Sequence, residues 1–194
     1  MATHAKPLHG IKIAILVTDD FEQIEMTEPR KALEHAGAKT FIVSPKSGKV
    51  VGFHHDQKGD LFDVDMTFDE AKPNNFDGIL LPGGALNADT IRMDLHAREF
   101  VNFMNQNNRP MAVICHAPWL LISSGCARNR TLTSYYTIQD DVRNAGGNWV
   151  DQEVVRDHNL VTSRSPQDLV AFNSSVVSLF AEYNHRKPQD VLFN

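Results

Sequence analysis

Cysteine is scarce in this chain. The 194 residues hold two, Cys115 and Cys126, too few for a disulfide framework, so free thiols in a reducing compartment are expected. An excess of positive charge is also lacking. Nineteen Lys and Arg stand against twenty-four Asp and Glu, and the basic residues are scattered rather than striped, which gives nucleic acid nothing to grip. No apolar run approaches the roughly 20 residues a membrane helix needs. Residues 1–10 contain no apolar stretch of the kind that directs secretion. A cytoplasmic protein without membrane partners is the expectation. No GxGxxG loop, P-loop lysine, HExxH or paired CxxC occurs, so neither a cofactor nor a metal is expected. The pair His54-His55 reads as solvated loop. Repeats, low-complexity tracts and linkers are missing too, and one domain follows. The expected division is a tail over residues 1–10, a single α/β domain over 11–186 and a tail over 187–194.

What is present is an alternation of short apolar runs with helical segments. Residues 11–17, 40–43, 77–81, 111–114 and 160–163 read as strands, and 149–155 as another late one. Residues 50–53 and 61–64 suggest a small side hairpin. Pro29 fits the first turn of a helix, so a helix starting there, capped by Thr27 or Glu28 and closed by Gly37, is expected. Further helices are expected over about 94–105, after Cys115 to Gly125, over 137–145 and over 168–183. Strands alternating with helices imply a doubly wound, mostly parallel sheet sandwiched by helices.

The segment Met111-Ala112-Val113-Ile114-Cys115-His116-Ala117-Pro118-Trp119 carries the most chemistry. A free cysteine in an apolar run is usually a small buried hydrophobe. Cys115 differs because it stands at the junction of a strand and a helix start, the edge where open α/β sheets bind ligands. A sharp turn there lifts one side chain above the sheet, near unpaired helix N–H groups, and these should lower its pKa. Cys115 is therefore the expected nucleophile, and His116 a base or cation beside it.

Two other loops should reach the same edge. Glu22, after the first strand, is either a neighbour of the thiol or a solvated loop acid. Glu25 and Glu28 read as surface or capping residues. Gly83-Gly84 allows a backbone N–H close to a substrate, as an oxyanion site requires. Tyr135 or Tyr136 can line the pocket. Cys126 reads as a structural thiol, and Trp119 and Trp149 as packing residues.

Ala112-Val113-Ile114-Cys115-His116-Ala117-Pro118, with Phe21-Glu22 and Leu81-Pro82-Gly83-Gly84, resembles the PfpI-like intracellular proteases of the ThiJ/PfpI superfamily. That superfamily also holds deglycase and glyoxalase III members. The likeness continues through residues 130–134, 144–151 and 160–169, so it spans nearly the whole chain. It implies a flavodoxin-like sandwich of the class I glutamine amidotransferase kind with Cys115 on its elbow. Glu22 would be the protonated neighbour of the thiolate, His116 the base, and the Gly84 and His116 amides the oxyanion site. Tyr135 falls where relatives place an aromatic beside the cysteine. A homodimer or hexamer is implied, with Asp89 of an adjacent subunit completing a Cys-His-acid triad. Ala117 replaces the usual Gly of the cysteine motif, Ala88 a frequent Pro, and Asp89 a longer Glu.

Thiol chemistry on reactive carbonyls or glycated protein, as in a stress-protective glyoxalase III or deglycase, is the activity the resemblance favours. An intracellular cysteine peptidase is the first alternative. A redox sensor or chaperone using Cys115 oxidation is the second.

Overall fold

Apolar runs too short for helices become the central strands in the computed structural model, which describes residues 6–187. The chain lays down β1 (Lys12–Leu16), the two-residue β2 (Phe21–Glu22), α1 (Gln23–His35) and β3 (Lys39–Ser44). A hairpin follows, β4 (Lys49–His54) and β5 (Gln57–Asp63), then the short β6 (Met66–Thr67). The middle of the chain is β7 (Gly78–Leu81), α2 (Ala85–Ile91), α3 (Leu95–Gln106), β8 (Met111–Ile114) and α4 (Pro118–Ser123). After it come β9 (Thr131–Leu132), α5 (Gln139–Asn144), β10 (Asn148–Trp149), β11 (Val154–Asp157), β12 (Leu160–Ser163) and α6 (Leu169–Arg186).

Seven strands form the main sheet in the order β11-β12-β8-β7-β1-β3-β6. All its pairings are parallel except that of β11 with β12. Successive side chains along a strand face opposite ways, so each strand feeds two cores. Ala14, Leu16, Ile79, Leu81, Met111 and Val113 pack with Phe100, Met104 and Leu120 of α3 and α4. Ile13, Ile15, Leu80, Ala112 and Ile114 pack with Met26 and Leu33 of α1 and Phe172, Val176 and Phe180 of α6. From β1 the chain moves one way to β3 and later returns on the other side as β7. The loops after β1 and β7 therefore diverge at a switch point, the crevice where such sheets bind ligands.

Four expectations change. α1 begins at Gln23, six residues before Pro29, which lies inside the helix rather than at its start. Met26, Pro29 and Leu33 form a buried stripe, and burying it outweighs the hydrogen bond that Pro29 cannot donate. The seven-residue α2 was not anticipated. The late strand expected over 149–155 is two strands: β10 pairs with β9 in a separate sheet, and polar residues 151–153 lead to β11. The N-terminal segment is no tail from Leu8 onward, because Leu8 is fully buried and its N–H donates to the Ala36 carbonyl. Asn184 Nδ2, near the end of α6, donates to the carbonyls of Pro7 and His9 at 3.0 and 3.4 Å. Residues 1–5 and 188–194 of the two expected tails lie outside the described residues. Among the described residues no helix is long and apolar enough to cross a membrane.

Candidate active site

Cys115 follows directly on β8 and has φ 64°, a left-handed conformation that a non-glycine residue adopts only under constraint. The constraint is visible on both sides of it. Its N–H extends the β12 pairing to the Ser163 carbonyl at 3.0 Å, and its carbonyl accepts from the Tyr135 N–H at 2.8 Å. The chain then turns at once into α4, with Ala117 N–H donating to the Ile114 carbonyl. The sulfur is left at the floor of a cavity of about 300 Å³, lined by Glu22, Glu25, Gly84, Cys115, His116 and Tyr135 among others.

The loops after β1 and β7 are held together by Asn87 of α2. Its Oδ1 accepts from the Thr18 N–H at 2.7 Å, and its Nδ2 donates to the carbonyls of Pro82 and Gly83. Gly83 must be glycine: a Cβ there would stand 2.4 Å from Glu25 Oε2 and 2.6 Å from Cys115 Cβ. Gly84, at φ 87°, turns its own N–H toward the Cys115 sulfur, and the His116 N–H joins it. Both amides expected at an oxyanion site thus converge on Sγ.

The carboxyl beside the sulfur belongs to Glu25, not to Glu22. Glu25 is fully buried, and its Oε2 accepts from the Gly83 N–H at 2.9 Å. Oε1 is buried without a hydrogen-bond partner, and the carboxyl as a whole interacts with the Cys115 thiol. Burial raises the Glu25 pKa to about 8, the nearby Glu22 charge adds to the rise, and the contacts with Cys115 and Gly83 oppose it. Glu22 lies higher on the cavity wall, where its Oε2 accepts from the His55 N–H at 3.2 Å. The displacement follows from the helix start. With α1 beginning at Gln23, position 25 lies in the i, i+4 row of Pro29 and Leu33 that faces inward.

The expected lowering of the Cys115 pKa is also reversed. Burial pushes the thiol well up and the Glu25 carboxylate adds to it, against the pull of the Gly84 and His116 amides. α4 has only six residues, and its terminus does not offset the loss of water. His116 Nδ1 stands 3.2 Å from Cys115 Sγ, and burial lowers the imidazole pKa, so the ring is neutral and able to take a proton. The ring is stacked on Tyr135 at 4.7 Å and tilted against Trp119 at 5.5 Å. Its Nε2 faces Thr137 Oγ1 at 3.4 Å. Asp89 is exposed on α2 and makes no bond to His116 within the protomer.

The far wall of the cavity is Ser165, Pro166 and Gln167, residues not singled out from the sequence as pocket residues. Arg164 braces that loop through two bonds to Asp168, at 2.8 and 2.9 Å, and one to Asp151 at 2.8 Å. Cys126 is buried elsewhere and donates to Asn102 Oδ1 at 3.2 Å.

A thiol lifted on a left-handed elbow at the switch point of a parallel sheet, beside a fully buried carboxyl, defines an α/β protein with a cysteine-centred cavity. The DJ-1/PfpI family profile matches residues 11–179, and the chain belongs to that family. It is 40% identical to deglycase PfpI of Pyrococcus furiosus over 169 residues, covering 87% of this chain and 99% of the relative. The putative cysteine protease YraA of Bacillus subtilis is 40% identical over 168 residues, covering 87% and 97%. The chain is accordingly a PfpI-type enzyme. Among solved structures, a ThiJ/PfpI domain protein of Brachyspira murdochii matches with TM-score 0.82 at 22% identity, covering 90% of this chain and 98% of that one. Drosophila melanogaster DJ-1beta matches with TM-score 0.80 at 23% identity, covering 91% and 94%. Those two likenesses bear on the fold alone.

Proposed function

We propose that this enzyme uses Cys115 to attack small reactive aldehydes and the adducts they leave on amines, as a cytoplasmic glyoxalase or deglycase. The observation that carries the reading is the fully buried Glu25 carboxyl beside Cys115, in a compact, half-open cavity of about 300 Å³. Such a site suits a compact electrophile better than an extended chain. Neutral His116 takes the thiol proton as sulfur bonds to the aldehyde carbon, and the carbonyl electron pair moves onto oxygen. The Gly84 and His116 amides meet that oxygen. With methylglyoxal, transfer of a proton from the first carbon to the second leaves a lactate thioester, and water releases lactate and the thiol. With an amine adduct, the carbon–nitrogen bond breaks as carbon–sulfur forms, and the amine leaves with a proton.

Peptide hydrolysis asks for an oriented imidazole, and Thr137 is the only side chain bonded to His116 Nε2 among the described residues. Asp89 can serve only from a second copy of the chain, which ranks the peptidase reading below the carbonyl one. Parallel assays with methylglyoxal and a fluorogenic peptide, on wild type, Cys115→Ser and Asp89→Asn, decide between them. Methylglyoxal conversion should fall by about 10²-fold or more in Cys115→Ser, with peptide turnover weak throughout. Faster peptide turnover, lost in both variants, reverses the ranking. An undiminished rate in Cys115→Ser refutes the site.

A further inference from the structure

The cavity over Cys115 is one-sided in charge. Among the described residues no lysine or arginine lines it, while Asp20, Glu22 and the buried Glu25 do. The Glu22 side chain is only 12% exposed, and the nearest basic group is the imidazole of His55, at 3.5 Å and itself 78% exposed. The Glu22 carboxyl group is therefore largely shielded from water, accepts one backbone N–H and, among the described residues, has no lysine or arginine beside it. Phe53, Leu86, Tyr135 and Pro166 supply apolar walls around it. A carboxylate so placed lowers the potential in a cavity that these walls partly enclose, and that field acts on whatever approaches the sulfur.

We infer that Glu22 is a specificity-determining residue, which selects carbonyl substrates bearing a protonated nitrogen and rejects those bearing a carboxylate or phosphate. The preferred substrates are amino aldehydes and other carbonyl compounds that carry a cationic nitrogen away from the reacting carbon. Glyoxylate and phosphorylated aldehydes are the disfavoured ones. The choice of substrates rests on the carbonyl reading above, whereas the charge selection at Cys115 does not.

Methanethiosulfonate reagents separate the two. The thiolate attacks the divalent sulfur that carries the reagent's ethyl group, a mixed disulfide forms, and the bond to the sulfonyl sulfur breaks as methanesulfinate leaves. Rates of Cys115 modification by the aminoethyl (cationic) and sulfonatoethyl (anionic) reagents are followed by peptide mass spectrometry and normalised to a free thiol. The normalised cation-to-anion ratio should be about tenfold or more at low salt, and Glu22→Gln should cut it several-fold. Raising ionic strength from about 0.01 to 1 M should shrink the wild-type ratio as the Debye length falls. That measurement needs no variant. A ratio near one, or a ratio unmoved by both salt and Glu22→Gln, overturns the assignment. If selection by charge is found but methylglyoxal is not converted, the carbonyl reading fails and Glu22 keeps its role. In the turnover arm, aminoacetaldehyde should be preferred to glyoxylate, and the preference should narrow in Glu22→Gln. An unchanged preference there overturns the assignment for substrates.

Discussion

Glu25 and Cys115 share a space from which water is nearly excluded, and the two titrate as a pair. A carboxylate there opposes a thiolate, so replacing it with a neutral amide must ease ionisation of the sulfur. Alkylation of wild-type Cys115 is expected to have its midpoint above the free-thiol value of about 8.5, and Glu25→Gln should lower that midpoint. Iodoacetamide rates against pH, with peptide mapping to separate Cys126, test this; an unchanged or higher midpoint contradicts it. The same group makes stability depend on pH. The folded-state pKa of Glu25, about 8, lies above the 4.5 of an ordinary glutamate, so the folded protein holds more protons between those limits. Its contribution is complete below about 4.5 and is lost as pH rises through about 8. At about 1.4 kcal/mol per pKa unit the loss reaches a few kcal/mol. Denaturant melts of wild type should weaken over that window, and those of Glu25→Gln should weaken less.

Among the elements, α3 is the helix whose start the sequence marks most clearly. Asp94 is its N-cap, and the side chain accepts from the Ala97 N–H at 3.0 Å. Asp94→Ala should cost about 1 kcal/mol. In a domain of this size that lowers Tm by roughly 2–4 °C. Calorimetry reads the shift, and reactivity at Cys115 should not change at room temperature. α1 is the opposite case. Pro29 has the signature of a first-turn residue, and taking it so moves the helix start past the carboxylate that matters. Only the packing of Met26, Pro29 and Leu33 against the sheet shows that three residues of sequence separate a wall residue, Glu22, from the floor residue, Glu25. The elbow was legible because β8 is uniformly apolar up to Cys115 and Pro118 follows at once. α2 was not, since seven residues after a Gly-Gly turn carry too little periodicity to distinguish a helix from a loop. The sign of the Cys115 shift was illegible too. Helix proximity can be read along the chain, but burial by Glu25 and Gly83 comes from elements distant in sequence.

At the scale of the molecule, the alternation of apolar runs gives the parallel sheet and its two cores, and it puts the reactive loops on one edge. The opposite edge holds the tie between Asn184 and the carbonyls of Pro7 and His9. Lys187 adds a 2.7 Å pair with Asp77, just ahead of β7. Both ends of the described chain thus leave from the side away from Cys115, which has a practical meaning for handling the protein. Anchored to a support through either end, the molecule should stand with the mouth of its cavity turned outward. A sample immobilised by a tag at either terminus should keep its solution rate of Cys115 alkylation by a small neutral reagent. Coupling through an added surface cysteine on α2 should slow it by obstruction. Equal rates in all three mountings would show that orientation on the support does not govern access.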